Sequence, residues 1–117
     1  MLNHMVEYSP PTLDAIYGAL SHPVRRGLVA RLSRDRGRGV RVTELAAPYA
    51  VSLAAVSKHI RVLEESGLVQ RSIMGRDHFL SLQTQPLDEA SAWIGQCRAF
   101  WTERLDRLEA LIRDPEG

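Results

Sequence analysis

The side chains that could do chemistry in this 117-residue chain are mainly basic, and they are concentrated in its middle. Between Ser21 and Thr84 there are eleven Lys or Arg residues against five Asp or Glu, whereas Gln85 to Gly117 carries four against seven. A basic segment beside an acidic one indicates that the middle of the chain meets a polyanion. Chance clustering on a solvated face is the alternative, because the excess of charge is modest.

Residues for catalysis or metal binding form no recognisable motif. The sequence contains no glycine-rich phosphate loop, no nucleophile elbow and no pairing of an acid with a histidine at a recognisable spacing. Its four histidines and Cys97 are scattered, without the close spacing of metal ligands. The sequence therefore predicts no enzyme, no metal site and no cofactor.

Small and basic side chains share one face of a helix that is predicted to begin at its N-cap Ser52 and to run to about Ser66. The residues on the other arc, expected to face the core, are Leu53, Val56, Ile60 and Leu63. Alanine methyls can contact thymine methyls, while lysine and arginine reach phosphates or guanine edges. The predicted DNA contacts of this helix are therefore Ser52, Ala54, Ala55, Ser57, Lys58 and Arg61. An ordinary amphipathic helix with a solvated polar face is the alternative.

The elements around this helix predict a winged helix-turn-helix. A short helix with Thr43 as its predicted N-cap, followed by a tight turn, precedes it, so the motif covers about residues 43–66. In such motifs the second helix enters the major groove. Upstream lie helices at about 12–20 and from Pro23, then a short strand at 40–42. Downstream, two extended runs with Gly75 between them predict a β-hairpin wing at about 68–82.

The expected fold is therefore mainly α with a small β-hairpin, as a single domain over residues 1–117. In the wing, Arg76 at the tip and His78 are predicted to contact the DNA backbone or the minor groove. Arg71 is as consistent with DNA contact as with a solubilising role on an edge strand.

A long helix predicted over about residues 87–112 carries more apolar residues than one covered face needs. The spacing of Leu87, Ala90, Ile94, Cys97 and Trp101 alternates three and four, as in a coiled-coil seam. Large exposed apolar patches usually mark interfaces, so the helix predicts a two-fold homodimer. The predicted interface residues are Leu13, Ile16, Trp93, Ile94, Cys97, Phe100, Trp101, Leu105 and Leu108. Full burial within one subunit is the alternative.

Three sequence segments resemble the ArsR family of bacterial winged-helix repressors. They are residues 19–26 (ALSHPVRR), 43–46 (TELA) and 56–69 (VSKHIRVLEESGLV), within a likeness that covers about residues 13–112. The resemblance implies a homodimer on a palindromic operator that usually represses its own operon. Metal sensors of that family carry a Cys-x-Cys element at the start of the helix-turn-helix or an Asp/His set on the last helix. Neither is present here, so the resemblance names no effector.

The cellular setting is expected to be the cytoplasm. No apolar run approaches the roughly 20 residues that span a bilayer, and residues 1–10 lack a secretory signal pattern. A single cysteine cannot form an internal disulfide, which fits a reducing compartment. The sequence thus favours a double-stranded-DNA-binding transcriptional regulator, with a winged-helix module that docks a protein on its last helix as the alternative.

Overall fold

The computed structural model describes residues 13–35 and 39–113 and has the predicted order of elements. These are α1 (Leu13–Ala19), α2 (Pro23–Arg34), β1 (Val40–Arg41), α3 (Val42–Ala46), α4 (Leu53–Glu65), β2 (Val69–Met74), β3 (Asp77–Leu82) and α5 (Gln85–Arg113). The mainly α winged helix-turn-helix fold is confirmed. Thr12, the predicted start of the first helix, lies outside the described residues.

The helix ends follow from local sequence. Pro23 opens α2, where its missing N–H costs nothing, and the Nδ1 atom of His22 accepts a hydrogen bond from the Val24 N–H at 3.1 Å. Ser52 caps α4 as predicted, because its Oγ accepts from the Ala55 N–H at 3.1 Å. The predicted cap at Thr43 is wrong: Arg41 is at the N-cap of α3 and makes no side-chain capping bond.

A three-stranded antiparallel sheet forms the wing, with strand order β1-β3-β2. Val40 pairs with Leu80, and Val69 pairs with Leu82. Gly75 adopts a left-handed φ of 65° in the turn between β2 and β3, a conformation that glycine reaches without a Cβ clash. The turn therefore keeps β2 and β3 antiparallel, and the hairpin follows α4 after only three residues.

The core lies between α2, α4 and the inner face of the sheet. Its buried cluster comprises Ala19, Leu28, Val29, Leu32, Val40, Leu45, Val56, Ile60, Leu63, Leu68, Val69 and Leu80. The prediction that Leu53 also faces the core is wrong, since this side chain is 52% exposed. Leu53 is the first residue of α4, and it lies beyond the elements that cover Val56 and Ile60 one and two turns further along.

Within the described residues, the long helix α5 packs on the other elements through its first turns. Of its 29 described residues, Pro86 and Ala90 are the buried ones. The Tyr17 hydroxyl of α1 donates to the Ala90 carbonyl at 2.9 Å, and the rings of Tyr17 and Trp93 meet edge to face at 6.0 Å. From Ser91 to Arg113 every residue is exposed. Among the described residues, no helix has the length and apolarity that crossing a membrane requires.

Candidate nucleic-acid interface

The outer face of α4 is small and basic. Ala54, Lys58 and Arg61 are exposed there, whereas Val56 and Ile60 on the opposite face are buried. Because core packing fixes the inner face, the outer face projects from the domain at a set angle. A helix presented in this way can enter a DNA groove without disturbing the core.

The other predicted DNA contacts lie around this face. Ser52 is exposed at the start of α4, and Ala55 and Ser57 are half-buried on its flanks. In the wing, Arg76 is exposed in the turn and His78 is half-buried on β3. The fold thus places five of the eight predicted residues on α4, Ser52 at its N-cap and two on the adjoining hairpin, and whether they contact DNA stays a prediction.

An ion pair joins α4 to the wing, and sequence reasoning missed it. The Arg71 Nε and Nη2 groups donate to the two Glu64 carboxylate oxygens at 3.1 and 2.8 Å. Both side chains are little more than a quarter exposed. The hydrogen bonds from Arg71 hold the pKa of the Glu64 carboxyl below its ordinary value, against an opposing effect of burial. The sequence signal for this ion pair was the opposite charge of Glu64 and Arg71, which lie on either side of Gly67, where α4 ends and β2 follows.

Arg71 also reaches across the hairpin. Its Nη1 group lies 2.9 Å from the His78 Nδ1 atom. Since arginine has no acceptor, the imidazole must accept at Nδ1, so a neutral His78 carries its proton on Nε2. The hydrogen-bonding capacity of Arg71, left open by the sequence, is therefore largely committed within the protein.

A second polar cluster connects the opposite flank of α4 to the corner between α1 and α2. The rings of His22 and His59 lie 4.3 Å apart, and Arg25 Nη1 is 3.1 Å from His59 Nδ1. Arg25 also donates from Nε to the Ala19 carbonyl at 2.7 Å. Burial, followed by the nearby charges of His22 and Arg25, lowers the pKa of His59.

The predicted dimer residues divide into two groups. Ile16 is fully buried within the subunit and Leu13 half-buried, so the Ile16 side chain has no surface to offer a partner. The predicted residues of α5 are all exposed, among them Phe100 at 69% and Trp101 at 61%, and Cys97 is a free, exposed thiol. Within residues 13–35 and 39–113, no three histidine, cysteine or acidic side chains come together as a metal site would need.

Comparisons with known proteins match this architecture. The helix-turn-helix domain family matches residues 20–71. The crystal structure of an ArsR family transcriptional regulator is 33% identical, with a TM-score of 0.72, over 80% of this chain and 94% of that one. An ArsR-like transcriptional regulator from Rhodococcus sp. RHA1 is 25% identical, with a TM-score of 0.70, over 85% of this chain and 91% of that one.

A more distant match shares the fold alone. It is the homodimeric winged helix-turn-helix DNA-binding domain of a possible ArsR-family regulator from Mycobacterium bovis, 16% identical with a TM-score of 0.55, over 81% of this chain and 82% of that one. No curated protein sequence matches the chain.

The fold, the projecting basic helix and these matches define a DNA-binding transcriptional regulator of the winged helix-turn-helix class. Proteins of this class are generally not enzymes. The chain belongs to the ArsR family, as its sequence segments predicted.

Proposed function

We propose that this regulator acts as a homodimeric repressor on a palindromic operator, including one upstream of its own gene. Helix α4 enters the major groove with Ser52, Ala54, Ala55, Ser57, Lys58 and Arg61, while Arg76 and His78 of the wing contact the flanking backbone. The observation that carries this proposal is the exposed face of Ala54, Lys58 and Arg61 on a helix whose other face is buried in the core. Small residues allow close approach to the groove floor, and the two cations suit phosphates and guanine edges.

The exposed length of α5 supports the dimer. A subunit alone leaves Ile94, Trp101, Leu105 and Leu108 about half exposed or more on one helix, and such apolar surface favours association. A two-fold dimer would set two α4 helices about one DNA turn, roughly 34 Å, apart, which matches the symmetry of a palindrome. The homodimeric state of the Mycobacterium bovis domain is consistent with this arrangement.

The same apolar helix favours a second candidate function. In that alternative the winged helix is a scaffold, and a different protein covers the exposed side of α5. The two functions differ in what they require of Lys58 and Arg61, which matter only when DNA is the partner.

Fluorescence anisotropy with duplexes tiled across the DNA upstream of the gene tests the proposal. One palindromic duplex should bind tightly, with steep salt dependence, in the presence of competitor DNA. The Lys58→Ala/Arg61→Ala double variant should weaken that binding by about a hundredfold, since each good contact contributes about 1–3 kcal/mol. Both side chains are exposed, so the variant should keep its fold.

A matched control is the Arg34→Ala/Arg113→Ala double variant. It also removes two positive charges, but from exposed positions at the ends of α2 and α5, and should leave operator binding near the wild-type level. Weak, sequence-blind binding that the α4 substitutions leave unchanged would refute the repressor proposal. Capture of a defined protein by α5 would then become the test of the second candidate.

A further inference from the structure

A cleft of about 250 Å³ separates the wing from the start of α3. Its walls come from the end of β1, the first turn of α3, and both strands of the hairpin near the turn. The lining residues are Arg41, Val42, Thr43, Arg71, Arg76, Asp77 and His78. The cleft is therefore large enough for a small anionic group, and it borders two elements that frame α4.

The charges that line the cleft are mostly positive. Three guanidinium groups and an imidazole face one carboxylate, that of Asp77. Arg41 Nη2 lies 3.5 Å from Asp77 Oδ2, with both side chains about half exposed, so this pair is a weak one. Within residues 13–35 and 39–113, Arg76 makes no ion pair. The balance of charge favours an anion.

Hydrogen bonds from a residue outside the cleft fix the side chains at its back. Glu64, which is on α4 and does not line the cleft, fixes Arg71 by two hydrogen bonds, and Arg71 in turn fixes the His78 ring. Glu64 neutralises Arg71 from behind, while Nε2 of a neutral His78 remains a hydrogen-bond donor. Thr43 is part of the opposite wall, and its side chain carries a hydroxyl. Donors held in place before the ligand arrives bind it at a lower entropic cost.

We propose that this cleft binds a phosphate group of the DNA strand that borders the groove occupied by α4, with Arg41 and Thr43 gripping it from one side and Arg76 and His78 from the other. The proposal rests on the proposed function and extends the contact surface to Arg41 and Thr43, which lie outside the recognition helix and the wing tip. A phosphodiester and a free small oxyanion share the required chemistry. The position of the cleft beside α4 favours the phosphodiester, because α4 and the strand phosphates meet on docking.

Two substitutions with opposite expected effects test the cleft. Arg41→Ala should weaken operator binding about tenfold and lower the salt slope by about one, as loss of one phosphate contact does. Asp77→Asn removes the carboxylate and should tighten operator binding several-fold. A gain in affinity cannot come from misfolding, so the pair remains informative if Arg41→Ala proves unstable. Arg113→Ala, which removes an exposed positive charge from the end of α5, should change neither quantity.

Neutral methylphosphonate linkages, placed one at a time in each operator half-site, then identify the phosphate. At one position the Arg41→Ala variant should bind the modified duplex as wild type does, because the contact is already lost. At the other positions the tenfold difference should persist. A separate titration of the free protein with inorganic phosphate, at constant ionic strength, tests for a free oxyanion.

Each outcome decides the proposal. Coupling at a single linkage supports the phosphodiester. Inorganic phosphate binding that Arg41→Ala abolishes, without coupling at any linkage, assigns the cleft to a free oxyanion and overturns the DNA assignment. Absence of both effects, while Lys58→Ala/Arg61→Ala still weakens operator binding about a hundredfold, overturns the phosphate cleft and leaves the proposed function intact. If wild type binds no duplex, the proposed function and the DNA assignment both fail, and the phosphate titration alone decides whether the cleft binds an oxyanion.

Discussion

The helix-turn-helix with its wing and the long helix α5 use apolar residues in opposite ways. Between α1 and β3, leucine, isoleucine and valine from six elements converge on one buried cluster. Beyond Ala90, α5 carries two tryptophans, a phenylalanine and several aliphatic side chains that remain about half exposed or more in the described part of the chain, even where Trp93 meets Tyr17 of α1. The first region buries its apolar side chains within the subunit, with Leu87 from the first turn of α5 packed against them, whereas the rest of α5 leaves its apolar side chains exposed.

The buried core stabilises the folded subunit, whereas the exposed apolar surface of α5 does not. Burying a large aliphatic side chain contributes about 1.5–3 kcal/mol, and the core obtains this within one chain. The same side chains on α5 contribute only when a partner covers them. Substitutions in the two regions should therefore be distinguishable by whether their effects depend on protein concentration.

The largest effect is expected from a charge in the exposed apolar surface of α5. Trp101→Glu should raise the dissociation constant of the proposed dimer by a factor on the order of thirty to a thousand, since a buried interfacial tryptophan commonly contributes about 2–4 kcal/mol. Sedimentation velocity over a concentration series measures the dimer fraction. The neighbouring Thr102→Glu is the control, with the same charge on an adjacent, non-aromatic position. A Trp101→Glu protein that stays dimeric would show that another surface pairs the subunits.

The next largest effect compares one leucine from each region. Leu63→Ala should lower the free energy of unfolding by about 2–5 kcal/mol, because Leu63 is fully buried and its loss leaves a cavity. Leu105→Ala should lower stability only where the dimer forms. Chemical denaturation of both variants in the monomeric Trp101→Glu background separates the two cases. An equal loss from Leu105→Ala in that background would mean that α5 is covered within the subunit after all.

Periodicity could predict the fold but not where burial stops along a helix. The spacing of Val56, Ile60 and Leu63 predicted the inner face of α4 correctly, because these residues are covered by elements on both sides. Leu53 obeys the same spacing and is exposed, since its position relative to neighbouring elements is a property of the tertiary structure. The spacing of apolar residues on α5 likewise indicated surplus surface without saying which molecule covers it.

The residues of the candidate site that lie on α4 could be predicted from the sequence. The contacts that join α4, the wing and the start of α3 could not. Lys58 and Arg61 follow from the helical wheel of α4 alone. The Glu64–Arg71–His78 chain and the cleft at Arg41 require the register of β2 against β3 and the angle between the hairpin and α4. Neither quantity is encoded in local spacing. Contacts between elements are therefore the part of the site that only the structure provides.

A smaller effect on stability is expected at the start of α4, the helix that joins the buried core to the exposed basic face. Ser52→Ala should lower the free energy of unfolding by about 1 kcal/mol, because the Ala55 N–H loses its capping acceptor. Ser52→Asn, which retains a capping oxygen, should restore most of that stability. Thermal denaturation at fixed protein concentration measures both. If the asparagine variant is no more stable than the alanine variant, the cap contributes nothing here.

The smallest effect, and the one confined most clearly to the core region, is the pH dependence set by His59. Its pKa in the folded protein is lowered by burial and by the neighbouring His22 and Arg25, while the unfolded chain keeps the ordinary value of 6.5. Below that value the unfolded state binds more protons than the folded state, so the free energy of unfolding should fall as the pH drops from 7.5 to 5.5. Glu64, with its pKa below the ordinary 4.5, contributes its own loss only at lower pH, outside the window in which His59 acts. His59→Gln should flatten the curve in chemical denaturation, and the same flattening should persist in the Trp101→Glu background because the cluster lies on α2 and α4. A His59→Gln curve that runs parallel to wild type would place the acid sensitivity elsewhere.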